Sequence, residues 1–180
     1  GLERGLNESF DNSLEHGFDN SPEQNFNEGN FAQETTEKLV GQQQILVLHA
    51  KSRAESGFNG SDLLQILLAC DLRYGDRDIL HRHENAGGEG QLQFSLANMV
   101  KPGTFNLEDI SSFRTPGVTF FMTVPGADNP EEAFDCMLET ANCLSKNLDA
   151  ELLDDANNVL SPQTIENYRE RVRSVSNVPA

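Results

Sequence analysis

The sequence predicts an α+β fold: a mostly antiparallel sheet of about six strands, with about three helices packed on one face and the other face open. Three observations predict it. Short apolar runs with strand periodicity are separated by Gly- and Pro-bearing turns at hairpin-like spacings. Longer stretches carry their apolar residues at helical spacing instead. The order in which these come, β-α-β-β-β-α-β-α, pairs strands with near neighbours and layers the helices on one side.

Taken in order, residues 45–50 (ILVLHA) form a strand by length and β-branched content. Gly60-Ser61 opens a helix with Ser61 as its N-cap, running through Leu63, Leu64, Ile66, Leu67, Leu68, Ala69 and Leu72 to a stop at Gly75. Residues 77–83 (RDILHRH) are a second strand. The turn Ala86-Gly87-Gly88-Glu89-Gly90 leads to a third, residues 91–101, which Pro102-Gly103 breaks. A fourth strand, residues 118–124, lies between Pro116-Gly117 and Pro125-Gly126. Asn129-Pro130-Glu131-Glu132 places a cap, an N1 proline and first-turn acids where a helix start wants them. That helix carries a stripe of Ala133, Phe134, Met137, Leu138, Ala141, Leu144 and Leu148. Residues 150–154 make a short strand, and Ser161-Pro162 caps a last helix with Ile165, Tyr168, Val172 and Val175 inward.

Residues 1–42 are different in kind. They lack periodicity, are dominated by Asn, Gln, Glu, Ser and Gly, and hold 9 acidic against 2 basic residues, a net of −7. This composition predicts a disordered acidic linker ahead of a domain at 43–180. Phenylalanine recurs in it, as Ser9-Phe10-Asp11-Asn12, Gly17-Phe18-Asp19-Asn20, Phe26-Asn27 and Phe31, which a set of short partner-binding motifs would also produce. The rest holds 20 acidic against 11 basic residues, a net of −9. Such a balance, with no basic stripe, argues against nucleic acid and against direct docking on an anionic membrane. No run of 18 apolar residues and no signal-peptide core is present. Cys70, Cys136 and Cys143 fall in apolar helical patterns and are too few for a disulfide framework.

The surface message lies in residues 94–105 (FSLANMVKPGTF). Phe94, Leu96 and Val100 fall on one strand face and Gln93, Ser95, Ala97, Met99 and Lys101 on the other. In the fourth strand Val118, Phe120, Met122 and Val124 are core, which leaves Phe121 between Thr119 and Thr123 on the open face. The second strand adds Ile79. The first is apolar on both sides, and its Ile45/Val47/His49 set is assigned outward. An apolar patch rimmed by Arg77, Lys101, Thr119 and His49 marks a partner site. Five such side chains contribute roughly 1.5–3 kcal/mol each, association costs about 4–15 kcal/mol, and the surplus fits micromolar affinity for an acid-bearing apolar peptide.

Enzymatic chemistry is not assembled. There is no Gly-x-Ser-x-Gly elbow, Walker-type loop or His-Glu-x-x-His, and Gly87-Gly88-Glu89-Gly90 reads as a hairpin turn. One alternative stands: His49, His81 and His83 on neighbouring strands would give a metal-dependent or small-molecule site.

These residues resemble the C-terminal domain of the ZipA family of bacterial cell-division proteins. The resemblance is carried by Tyr74-Gly75-Asp76, Ile79, His81-Arg82-His83, residues 94–105, residues 115–119, Phe121-Met122, Val124-Pro125, Leu153-Asp154-Asp155 and Ser161-Pro162-Gln163, and covers about 44–175. It implies a split β-α-β fold whose open sheet face forms a shallow groove for the C-terminal tail of FtsZ, with no cofactor. Carried over by position, that groove is Ile45, Val47, Arg77, Ile79, Met99, Lys101, Thr119 and Phe121. Arg77 departs from the family pattern, which has an apolar residue there. Its stem can lie along the peptide or its head can pair with an acid. The resemblance also implies an N-terminal membrane anchor, absent from this chain, and a place at the cytoplasmic face of the inner membrane at the division septum. There the parent protein would tether and stabilise FtsZ polymers.

Overall fold

The computed structural model describes residues 43–176. The linker and phenylalanine-motif readings for residues 1–42 lie outside them. The strands are β1 (Gln44–Ser52), β2 (Phe58–Asn59), β3 (Leu72–Tyr74), β4 (Leu80–His83), β5 (Leu92–Asn98), β6 (Arg114–Thr115), β7 (Gly117–Val124) and β8 (Ala150–Leu153). The helices among these residues are α1 (Gly60–Ala69), α2 (Pro130–Leu148) and α3 (Pro162–Ser176). Six strands form one sheet in the order β3-β4-β5-β7-β1-β8, with antiparallel ladders throughout, and β2 pairs with β6 separately. This is the α+β architecture that the periodicities predict.

α2 starts as its sequence dictates. Asn129 caps it by accepting the Glu132 N–H at 3.2 Å, Pro130 needs no amide partner, and Asp149 in a left-handed conformation closes it. α1 departs from expectation at both ends. Its cap is Asn59, whose Oδ1 accepts the Asp62 N–H at 3.1 Å, so Ser61 lies inside the first turn. It ends at Ala69 because Asp71 adopts a left-handed conformation (φ 70°) and donates its N–H to the Leu68 carbonyl. Leu72 is therefore released into β3 rather than extending the helical stripe.

The second predicted strand is also shorter at its start. Arg77 sits at φ 63° in a one-turn 3-10 segment, Asp76–Asp78, and Ile79 is extended but precedes β4. Gly75, Asp76 and Asp78 favour a turn, and the Gly75 and Ile79 backbones close it with an N–H···O bond of 2.9 Å.

Alternation then sorts the side chains. Leu46, Leu48, Leu80, Phe94, Leu96, Val118, Phe120, Met122 and Val124 all point into one core. Leu63, Leu67, Phe134, Met137, Leu144, Tyr168 and Val172 meet them there from the helices. Val100, expected to join this face, is exposed just beyond the end of β5. The three cysteines are free and half-buried, Cys70 and Cys136 against this layer, and burial followed by the neighbouring Cys143 pushes the Cys70 thiol up to about 11.

Candidate functional site

The opposite face of the sheet carries a second apolar cluster: Ile45, Val47, Ile79, Ala97 and Phe121. It spans four adjacent strand positions, and no helix among the described residues contributes a residue to it. The registers explain its shape. Val47 lies opposite Phe121, Phe121 opposite Ser95, and Ser95 opposite His81, which makes one row across the sheet. His49, Thr119 and Ala97 make the next. A patch of exposed side chains was the expectation, yet its members are only 2% to 8% exposed.

Thr119 is buried beside this cluster and shares a hydrogen bond of 3.0 Å with His49 Nδ1. Met99 lies one step past β5, half-buried, and its N–H donates to the Gly117 carbonyl at 3.0 Å. Gly117 is needed there, since a Cβ would stand 2.7 Å from Met99 Sδ and 2.9 Å from the Ala50 carbonyl oxygen. Lys101 is half-buried in the turn that follows. That turn is clasped from below: the Thr115 hydroxyl donates to Asn98 Oδ1 at 2.6 Å, and Asn98 Nδ2 donates to the Thr104 carbonyl at 3.2 Å. Both residues are buried.

The Arg77 turn is held from its other side. The Phe105 N–H donates to the Asp78 carbonyl at 2.9 Å, and the Tyr74 hydroxyl donates to the Phe105 carbonyl at 2.9 Å. One segment, residues 94–105, thus supplies a wall of the face, its Met99 and Lys101 end, and an anchor for the turn carrying Arg77 and Ile79. Of the eight predicted residues, Ile45, Val47, Ile79 and Phe121 join this cluster and Thr119 is buried opposite Ala97, while Met99, Lys101 and Arg77 lie in the turns beyond the strand ends. Ala97 belongs to it as well. Its even spacing from Met99 was the signal, and its small side chain made that signal easy to discount.

The three-histidine alternative does not assemble. β5 and β7 stand between β4 and β1, which sets His49 and His81 three strand spacings apart, roughly 14 Å. His81 is committed elsewhere: Nε2 donates to the Asp76 carbonyl at 2.9 Å, so the neutral ring accepts the Ser95 hydroxyl on Nδ1 at 2.8 Å. Burial holds its pKa below the ordinary histidine value, against a raising contribution from the Asp76 carbonyl. No group of three or more His, Cys, Asp or Glu is placed to hold a metal among the described residues.

α3 grips β1 from the core side. The Tyr168 hydroxyl donates to the Val47 carbonyl at 2.9 Å and accepts the Asp155 N–H at 3.0 Å. Arg171 donates to the Ile45 carbonyl and to Gln44 Oε1, both at 3.1 Å. β1 is therefore fixed at the residues whose side chains form the outer face.

Residues 44–171 match the family described as ZipA, C-terminal FtsZ-binding domain. Among similar curated proteins is a cell division protein ZipA of Stutzerimonas stutzeri strain A1501, 50% identical over 130 residues, covering 72% of this chain and 48% of that protein. A ZipA of Pseudomonas savastanoi pv. phaseolicola is 48% identical over 143 residues, covering 78% of this chain and 50% of its own. One from Pseudomonas fluorescens strain SBW25 is 49% identical over 130 residues, with 72% and 45% covered. The chain spans about half the length of these relatives.

Proposed function

The chain belongs to the ZipA C-terminal FtsZ-binding family, and on that premise we propose that the sheet face opposite the described helices is a groove that binds the C-terminal tail peptide of FtsZ. The observation that carries this reading is the apolar cluster of Ile45, Val47, Ile79, Ala97 and Phe121, which the helical core does not use. A shallow apolar face takes a peptide through a few side-chain anchors. Arg77 and Lys101 on the rim favour acids beside those anchors. The protein acts as a non-enzymatic adaptor. In the parent molecule an N-terminal anchor would hold it at the cytoplasmic face of the inner membrane at the septum, tethering FtsZ polymers and stabilising the Z ring. No helix among the described residues is long and apolar enough to cross a membrane, so the anchor would lie outside them. Individually weak contacts would act along a polymer through avidity.

The test is an NMR titration of the chain with the FtsZ tail peptide from the same organism. Saturable shifts at Ile45, Ile79, Ala97 and Phe121, with Leu46, Phe94 and Phe134 on the far side unmoved, are the expected result. Millimolar peptide that left the outer face unperturbed would refute the groove.

A further inference from the structure

We propose that Cys70 and Cys143 are a redox-modification site, at which a hydroperoxide converts the two thiols to a reversible disulfide that ties the end of α1 to α2. Both residues belong to the helical layer, so the site stands apart from the peptide face. They lie 73 residues apart in the sequence, yet the fold brings their thiols into a shared hydrogen bond. Cys70 is the C-cap of α1, and its N–H divides between the Ile66 and Leu67 carbonyls, both at 3.1 Å. Its own carbonyl accepts from Arg82 Nη1 at 3.0 Å, which fastens the cap to β4. On α2, Asn147 Nδ2 donates to the Cys143 carbonyl at 2.8 Å and to Cys143 Sγ at 3.4 Å, which steadies that sulfur. Both cysteines are half-buried: held in place by packing, and open enough for a small oxidant to arrive. Cys136 is seven residues earlier on α2, about 10.5 Å along the helix axis from Cys143, too far to compete for its sulfur.

The surroundings divide the roles. The thiolate, not the thiol, is the nucleophile, and burial keeps the Cys70 thiol protonated. The first attack therefore falls to Cys143. Its thiolate bonds to one peroxide oxygen, the O–O bond breaks, and the departing hydroxide takes up the proton that Cys143 released. Cys143 is left as a sulfenic acid. The Cys70 sulfur then attacks Cys143 Sγ and gives its proton to the hydroxide that leaves as the S–O bond breaks. Two thiols have lost two electrons, and the peroxide has become two waters. The sulfurs close only from hydrogen-bond contact to an S–S length of about 2.05 Å. A dithiol reductant reverses the change by exchange and carries the disulfide away on itself.

The link has a structural consequence. It closes residues 70–143 into one loop that holds β3 through β7 and most of α2. Closing so long a loop restricts the unfolded chain strongly, while the folded chain already holds the two sulfurs together. Oxidation should therefore stabilise the domain and leave its sheet unchanged.

The experiment treats the reduced full chain with hydrogen peroxide and digests it under non-reducing conditions for mass spectrometry. The expected product is a monomer lighter by two hydrogens, with a linked Cys70–Cys143 peptide and Cys136 still open to a thiol probe. It should form about tenfold faster in the folded chain than in urea, because the fold holds the thiols together. Its Tm should exceed that of the reduced protein by about 5–10 °C, and dithiothreitol should return both mass and Tm. Cys143→Ser should abolish the link, whereas Cys136→Ser should leave it. A link through Cys136, a disulfide-bonded dimer or an equal rate in urea would overturn the proposal. So would three separately oxidised sulfurs with no link, or an oxidised protein no more stable than the reduced one. The wild-type digest decides the pairing whether or not either variant folds.

Discussion

Replacing Tyr168 by Phe removes one oxygen from a residue that is 3% exposed and leaves its packing intact. The edge-to-face contact with Phe134, at 6.0 Å between centroids, and the Arg171 guanidinium 5.2 Å above the ring do not need the hydroxyl. What is lost is a donor to the Val47 carbonyl and an acceptor for the Asp155 N–H. A typical internal hydrogen bond contributes net about 0.5–1.5 kcal/mol, and a buried group left unmade costs about 1–3 kcal/mol. Asp155 is exposed, so water replaces its partner, while the Val47 carbonyl is buried and keeps most of the loss. The substitution should therefore cost about 1–2 kcal/mol and lower Tm by about 3–8 °C. Urea denaturation followed by circular dichroism measures it, with the midpoint falling and the slope unchanged. The Val47 and Phe121 amide resonances should shift with it, because they face each other across β1 and β7. A change under about 0.5 kcal/mol, within the range of surface substitutions, would refute the claim that α3 braces β1 through this hydroxyl.

Two further predictions test particular elements. Asn59→Ala should destabilise the domain by about 1 kcal/mol through loss of the α1 cap, whereas Ser61→Ala should stay within about 0.5 kcal/mol. Equal effects in thermal melts would return the cap to Ser61. His81 has a native pKa below its unfolded value, so the unfolded chain takes up the proton first. Its contribution is fully present above the unfolded value, about 6.5, and is lost as pH falls below it. Stability measured from pH 7.5 to 5.5 should thus drop more steeply in the wild type than in His81→Gln, and parallel curves would contradict the assignment.

Much of this was legible because strand parity is a strong signal. Phe120 and Phe121 are adjacent aromatics with opposite destinations, and the alternation Val118, Phe120, Met122, Val124 was enough to send Phe121 outward. β1 was harder: residues 45–50 are apolar on both sides, and the pairing of Val47 with Phe121 is what decides its faces. Leu72 satisfied a helical spacing, but the backbone of Asp71 turned left-handed without a glycine to announce it. Arg77 lay in a run with strand composition, and the turn-forming Asp76 and Asp78 overrode that. The histidine alternative failed for a reason periodicity cannot express. It depended on which strands are neighbours, and the order β3-β4-β5-β7-β1-β8 is not the order of the chain.

β1 serves the main core with Leu46 and Leu48 and the second apolar cluster with Ile45 and Val47, so it has no polar side to give up. Residues 45–50 are an uncharged six-residue stretch with strong β-propensity and neither Pro nor Gly, the composition of a cross-β seed. In the native sheet β7 pairs one edge along its length, while β8 pairs the other only from His49 onward and Tyr168 and Arg171 take the Val47 and Ile45 carbonyls. Unfolding exposes it. Destabilised variants will therefore leave solution as aggregates sooner than they accumulate as soluble, weakly binding protein. Lys51, directly after residues 45–50, is the charge placed to slow that loss, as gatekeeper charges do beside an unavoidable apolar strand.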